Sequence, residues 1–456
     1  MADQHMSGME AMMWNVERDP WLDPNGGGIA IYDRPLDIDW FRQSVAHAVA
    51  EIPRLRQRVA PGLGPLAAPR WVYDHEFDLG WHVRRIGAPG EGTLRELLDY
   101  FTPWLQDSYD VTRPLWMYVV VDGLADGRGA LLTKIHHTVG DGETLVKMSL
   151  AYTTAEREAA PADHVDLAAV IANDPVDDTG LVAAARDTIG QGIRAPVDLG
   201  RRVLRNVLDP GSVGRSRTEA TDLVKTATEQ LHPAGSDLWR RRSRRRHAEA
   251  FSLPFDDVHD AAHALGGTIN DLFLTGAVEA SVRYHQHFDS TPEKFHMTLV
   301  VNTRTGSDDG SNAFSPVPVE VDAVPIPLDE RFAEIHAVVR AKRAEVHGAG
   351  PLAAMATVAN LLPVPLMTGL ARDQAGHIDF ANSNLPGYRG ETYVAGAKTL
   401  HSYPFGPVAG TGFNLTMMST NDMLDLGINI DPAAVTQPAL LTTLLQAAYA
   451  DLLAFS

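Results

Sequence analysis

The sequence predicts a mixed α/β (α+β type) protein built as two domains, and three observations carry that reading. β-branched and aromatic runs alternate with amphipathic helical stretches in both halves of the chain. A long stretch between them, from 159 to 230, shows no strand signal. A length of 456 residues is also more than one core usually holds. The expected units are an N-terminal domain over 1–160, a connector of helices and loops over 161–245, and a C-terminal domain over 246–456.

Taken in order, Ile38, Phe41, Val45, Val49 and Ile52 share one helical face, and Pro53 ends that helix. The basic run 54–58 reads as a solvated approach to a strand. Trp71, Val72 and Tyr73, then Trp81, His82 and Val83, read as short strands. Leu94, Leu97, Leu98, Phe101 and Leu105 mark a second amphipathic helix. Residues 116–121 and 129–135 are strands joined by the turn-rich 122–127, which is a hairpin signal. Leu145, Met148 and Tyr152 then recur at helical spacing. The connector ends in six arginines among the seven positions 240–246. A solvated linker end or a salt-bridged strand weighs evenly there against a cradle for phosphates or a membrane surface.

In the second half, Val258, Ala261, Ala262 and Leu265 form a helical face closed by Gly266 and Gly267. The next helix opens at 268–271, with Thr268 or Asp271 as an ordinary cap. Strands at 296–302 and 317–321, a helix over 329–346, a hairpin within 412–430 and a last helix over 437–454 complete the pattern. The uncharged stretch 352–371 contains Pro363 and Pro365, which would break a spanning helix. It reads as a buried helix stopping near Leu362, with an interfacial segment as the lesser alternative.

Composition narrows the chemistry. The apolar fraction of 45% and charged fraction of 21% are those of an ordinary soluble globular protein. A net charge of −19 argues against nucleic acid as a partner. Without cysteine there is no disulfide, no thiolate metal site and no thiol nucleophile. No serine stands in a Gly-x-Ser-x-Gly setting, so an elbow-type hydrolase has no local support. Residues 1–5 lack the basic start and apolar core of a secretion signal, and a cytoplasmic protein is expected.

The informative stretch is His136-His137-Thr138-Val139-Gly140-Asp141-Gly142, where the second hairpin strand runs into a loop before a helix. If the strand continues through the pair, His137 shares a face with Leu131, Thr133 and Ile135, while His136 points with Leu132 and Lys134. Diverging rings argue against a shared metal and leave one working histidine beside a structural one. A histidine at a strand end is the usual general base near neutral pH. Asp141 before Gly142 serves equally as a helix cap, and Gly140 and Gly142 leave room beside the histidine.

These seven residues match the HHxxxDG signature, and the chain resembles the bacterial wax ester synthase/diacylglycerol acyltransferases of the coenzyme-A-dependent acyltransferase superfamily. Pro114-Leu115-Trp116 is similar to that family's PLW motif, Asn270-Asp271 to its ND motif and Gly310-Ser311-Asn312 to its GN loop. Ser383-Asn384-Leu385-Pro386-Gly387 resembles its SNVPGP segment, with Tyr388 in place of the final proline. Met6-Ser7-Gly8-Met9-Glu10 stands where an LSPxD-like start is usual, Met117 follows PLW, and Ser419-Thr420 replaces a customary Ser-Tyr.

The resemblance implies two chloramphenicol-acetyltransferase-like domains with an active-site tunnel at their interface. It implies His137 as general base, His136 in support, and Asp141 and Gly142 shaping the loop. Asn270 and Asp271 would line the substrate tunnel, while Pro114, Leu115, Trp116, Asn384, Pro386 and Gly387 would be structural. The implied reaction is acyl transfer from acyl-CoA, a co-substrate, to a long-chain alcohol or diacylglycerol, with no bound cofactor or metal. A peripheral place at the inner membrane face or a lipid-droplet surface goes with it. Transfer from a carrier protein, transfer to an amine or polyketide hydroxyl, and a non-catalytic lipid-binding role on the same scaffold are the alternatives.

Overall fold

The strand that ends at the first of the two histidines lies near the middle of a seven-stranded sheet. The structure, a computed structural model, describes residues 5–61, 69–140, 148–176, 236–302, 314–345 and 364–456. Asp141, Gly142, Leu145, the Gly310-Ser311-Asn312 loop, most of the connector and residues 352–363 lie outside them.

The N-terminal part runs α1 (Gly8–Val16), β1 (Asn25–Tyr32), α2 (Ile38–Glu51), β2 (Gln57–Ala60), β3 (Arg70–Tyr73), α3 (Leu79–His82), β4 (Val83–Gly87), α4 (Leu94–Gln106), β5 (Trp116–Asp122), β6 (Gly129–His136), β7 (Thr153–Thr154) and α5 (Leu167–Ala172). Helix α2 begins where the Asp37 carboxylate accepts the amides of Asp39 and Trp40, and ends at Ile52, which is extended ahead of Pro53. Helix α4 opens with a Thr93–Glu96 capping box and buries Leu97, Leu98, Phe101 and Leu105. Strands β5 and β6 pair antiparallel from Trp116–Ile135 to Asp122–Gly129, as the hairpin signal predicts.

The C-terminal part runs β8 (His247–Pro254), α6 (Phe255–Ala264), α7 (Ile269–His287), β9 (Lys294–Asn302), β10 (Phe314–Asp322), α8 (Leu328–Glu345), α9 (Val364–Gly376), β11 (Phe380–Tyr388), β12 (Tyr393–Val394), β13 (Ala397–Phe405), β14 (Phe413–Thr420), β15 (Met423–Ile430) and α10 (Pro438–Leu453). The first sheet has the order β4-β5-β6-β1-β13-β12-β7 and the second β10-β9-β11-β14-β15-β8. Helix α7 crosses the second core, where the Tyr449 hydroxyl of α10 donates to the Phe273 carbonyl at 2.8 Å.

The domain boundaries therefore differ from a simple cut near 246. Residues 393–405 leave the C-terminal part and complete the first sheet, with β13 pairing antiparallel to β1. The two sheets meet where β13 faces β15. Buried Asp425 of β15 accepts the Ser252 hydroxyl and the Ser402 amide, each at 2.6 Å, and lies 3.0 Å from His401 Nδ1. The connector's end belongs to the second core, since Trp239 is fully buried among Phe295, Phe380 and Phe413.

Other expectations change in detail. Arg56, expected in solvent, is buried and holds Asp174 through two hydrogen bonds of 2.8 and 3.0 Å. Trp81 and His82 end a short helix and only Val83 starts a strand, because the Asp78 side chain caps the turn at the Gly80 amide. Within the arginine run, Arg242 donates to the carbonyls of Gly410 and Ile378, and Arg246 to those of Ser243 and Arg245. Arg240, Arg241, Arg244 and Arg245 stay exposed. In the uncharged stretch, the buried helix expected to stop near Leu362 lies outside the described residues, and a helix with Pro365 in its first turn, where a missing amide hydrogen is harmless, begins at Val364. This helix leaves Leu366 and Leu370 exposed.

Candidate active site

Strand β6 delivers the histidines, and the residues of the PLW motif hold that strand in place. Leu115 and Trp116 are buried at the start of β5, and the Leu115 carbonyl accepts the His136 amide at 3.0 Å. The Trp116 indole donates to the Leu55 carbonyl at 2.7 Å, and the Trp116 carbonyl accepts from His82 Nδ1 at 2.8 Å. Pro114 sits one residue earlier, its carbonyl accepting the Trp116 amide at 3.0 Å. The strand ends at His136, and a turn closed from the Val139 amide to the His136 carbonyl, 2.9 Å, carries His137 and Thr138.

The two rings part, although the strand stops at His136 and the turn, rather than strand alternation through the pair, sets the direction of His137. His136 has no exposed surface. Its Nδ1 accepts the Thr138 amide at 3.1 Å and lies 2.7 Å from the Thr138 hydroxyl, so in the neutral ring the proton sits on Nε2. Nε2 is 3.1 Å from the Glu17 carboxylate, off the hydrogen-bonding direction, and the edges of Trp14 and Tyr109 flank the ring. His136 is thus a fixed member of a buried polar group.

That group includes Lys134, whose ammonium donates to the carbonyls of Trp104 and Asp107. Burial pulls Lys134 down to about 8, against the pull of the carboxylates of Asp23, Asp107 and Glu17. Burial likewise raises Asp23, with the Asn25 amide opposing. Nothing in the sequence marked Glu17, Asp23 or Lys134, because each reads as an ordinary surface charge.

His137 is half-buried and lies on the other side of the pair. Its Nε2 and Cδ2 edge faces Gly26 of β1, where an added Cβ would come within 3.4 and 3.7 Å of those atoms. Gly26 pairs with Ile135, two residues before His137.

The remaining candidates gather on the second sheet. Asn270 and Asn384 meet, the Asn384 amide donating to Asn270 Oδ1 at 3.3 Å, so the ND and SN segments form one unit. Asp271 serves as a helix cap rather than a tunnel wall. It is 2% exposed, completes a capping box with Thr268, and its Oδ2 lies 2.9 Å from His336 Nδ1. Pro386 is exposed, while Gly387 sits where β11 bulges against β14, its amide donating to the Ser419 hydroxyl at 3.1 Å.

Where the two sheets meet, Asp23, Asn25, Gln106, Arg246 and Asn429 line a small recess. Among the described residues no group of three His, Asp or Glu side chains is arranged to hold a metal ion.

Comparison with known proteins places this arrangement. Residues 6–273 match the wax ester synthase/diacylglycerol acyltransferase catalytic domain, and residues 311–452 match the C-terminal domain of the same family. A Mycobacterium tuberculosis protein with the provisional name diacylglycerol O-acyltransferase is 32% identical over 98% of this chain and 91% of its own length. The wax ester synthase/diacylglycerol acyltransferase of Marinobacter aquaeolei shares the fold, with a TM-score of 0.66 at 21% identity over 98% of both chains. The starter condensation domain of rhizomide synthetase, solved with C8-CoA and Leu-SNAC, shares it at a TM-score of 0.58 and 13% identity, covering 99% of this chain and 94% of that one. The chain belongs to the wax ester synthase/diacylglycerol acyltransferase family and is an acyltransferase.

Proposed function

We propose that the acyl group goes to the hydroxyl of a long-chain alcohol or a diacylglycerol, with His137 as general base. The observation that carries the assignment is the parting of the two rings. His136 is sealed within its own contacts, whereas His137 presents Nε2 beside a strand residue without a side chain. In this reading Nε2 takes the acceptor's proton as its oxygen attacks the thioester carbonyl. The tetrahedral intermediate collapses by breaking the C–S bond, and the proton on Nε2 passes to the departing coenzyme A thiolate.

Asn270 is the proposed donor to the oxyanion, since its Oδ1 is turned to Asn384 and its Nδ2 is the half that offers hydrogens. Asp141 and Gly142 are assigned to shaping the loop that follows the base. Peripheral contact with a lipid surface belongs to the same reading. Among the described residues no helix is long and apolar enough to cross a membrane. Leu366 and Leu370, 52% and 43% exposed one turn apart on α9, support a shallow apolar foothold instead.

The test is product analysis. The purified protein is given palmitoyl-CoA with hexadecanol, a diacylglycerol or hexadecylamine, and both free thiol and acyl product are measured. Ester formed from an alcohol or diacylglycerol, matched by thiol release, is the expected result. Amide as the main product, or no transfer from free acyl-CoA, would sink the reading.

A further inference from the structure

The three glycines that open β1 have different surroundings. An added Cβ at Gly27 would lie 2.5 Å from the Thr133 carbonyl oxygen and 2.8 Å from Leu105, so packing forbids a side chain there. At Gly28 it would crowd the Thr133 hydroxyl at 3.2 Å and the Tyr403 carbonyl at 3.3 Å. At Gly26 a methyl group would fit at ordinary contact distances, and the backbone is not in the left-handed region. Neither conformation nor packing therefore requires glycine at 26. What a methyl group there would do is stand 3.4 Å from His137 Nε2. A base nitrogen must receive the acceptor oxygen at about 2.6–3.2 Å, so a carbon on that flank competes for the space of the incoming hydroxyl and the groups it carries.

We infer that Gly26 is a specificity-determining residue, which sets the clearance beside the base and hence the bulk of acceptor that His137 can serve. The inference rests on His137 being the base. A straight-chain primary alcohol presents a slender hydroxymethyl end, whereas a diacylglycerol carries a substituted carbon next to its reacting one. A methyl group at 26 therefore penalises the second more than the first.

The experiment compares Gly26→Ala, Gly28→Ala and His137→Ala with the wild type, using palmitoyl-CoA with hexadecanol or 1,2-dioleoylglycerol. In parallel, the rate at which diethyl pyrocarbonate modifies His137 is followed by tandem mass spectrometry. Gly26→Ala is expected to keep its Tm and its KM for palmitoyl-CoA and to modify more slowly at His137. Its kcat/KM for the diacylglycerol should fall on the order of tenfold more than that for hexadecanol, the size of one misplaced methyl group. Gly28→Ala is expected to lose stability without changing the acceptor ratio or the modification rate. An unchanged modification rate and acceptor ratio in Gly26→Ala, or the same changes in Gly28→Ala, would overturn the inference. Full activity of His137→Ala would instead remove the base assignment. Slower modification of His137 in a protein that uses neither acceptor would uphold the clearance and refute the proposed acceptors.

Discussion

At the scale of residues, the two histidines differ in kind. His136 supports the turn through Thr138 and fills a buried space beside Glu17, so its removal leaves the Thr138 amide without a partner. His136→Ala should lower stability by about 1–3 kcal/mol in urea unfolding, the usual effect of orphaning a buried polar group. Alternation along the strand suggested from sequence that the pair would part, but the strand ends at His136 and it is the turn after it that carries His137 away. The partners of His136 were not legible, since Glu17 comes from a segment over a hundred positions earlier in the chain. Asp271 was legible as a cap from Thr268 three positions before it, and the capping box is what the structure shows. Arg56 was misjudged because the run 54–58 looks uniformly basic, and only the fold brings Asp174 to one of its members. Breaking that buried pair by Arg56→Ala should cost about 3–5 kcal/mol, read as a lower Tm.

At the scale of elements, β5 and β6 were visible because β-branched runs flank a turn, and α2, α4, α7 and α10 because apolar residues recur with helical period. Strand β1 was not visible, since Asn25-Gly26-Gly27-Gly28 has the composition of a loop. It forms a strand because β6 and β13 pair with it on both sides. Strand β13 was hidden by Pro404 and by its mixture of Thr, His and Ser. Gly387 shows how tightly β11 approaches β14, for a Cβ there would stand 1.7 Å from the Ser419 carbonyl. Gly387→Ala should therefore lower the yield of folded protein or its Tm sharply, while Pro386→Ala, on the exposed neighbour, should change little. On α9, Pro365 sits in the first turn, where it is harmless to the helix. Replacing Leu366 and Leu370 together by serine should reduce co-flotation with phospholipid vesicles and leave Tm unchanged.

At the scale of the whole molecule, the first sheet cannot be completed without the C-terminal part, because β13 and β12 extend it beyond β1. A cut near 246 would therefore leave β1 with an open edge beside His137. Two buried histidines tie the pH stability of the molecule to its packing. Burial lowers His82, stacked between Phe77 and Trp116, and His285, bonded to Ser236 and Ser281, to about 4 each. The unfolded chain takes up these protons near pH 6.5 and the folded chain only near 4, so stability falls as pH drops through that interval. Each costs roughly 3 kcal/mol of stability at pH values below it, and His285→Gln should flatten the acid limb of a Tm–pH profile. Acyl transfer is the act of the assembled molecule, and its most direct measurement is the single-turnover rate of ester formation from acyl-CoA by His137→Ala at neutral pH. A fall of about 10²–10⁴-fold, with Tm and acyl-CoA binding unchanged, is the predicted result. Ester formation at the wild-type rate would contradict the role given to His137.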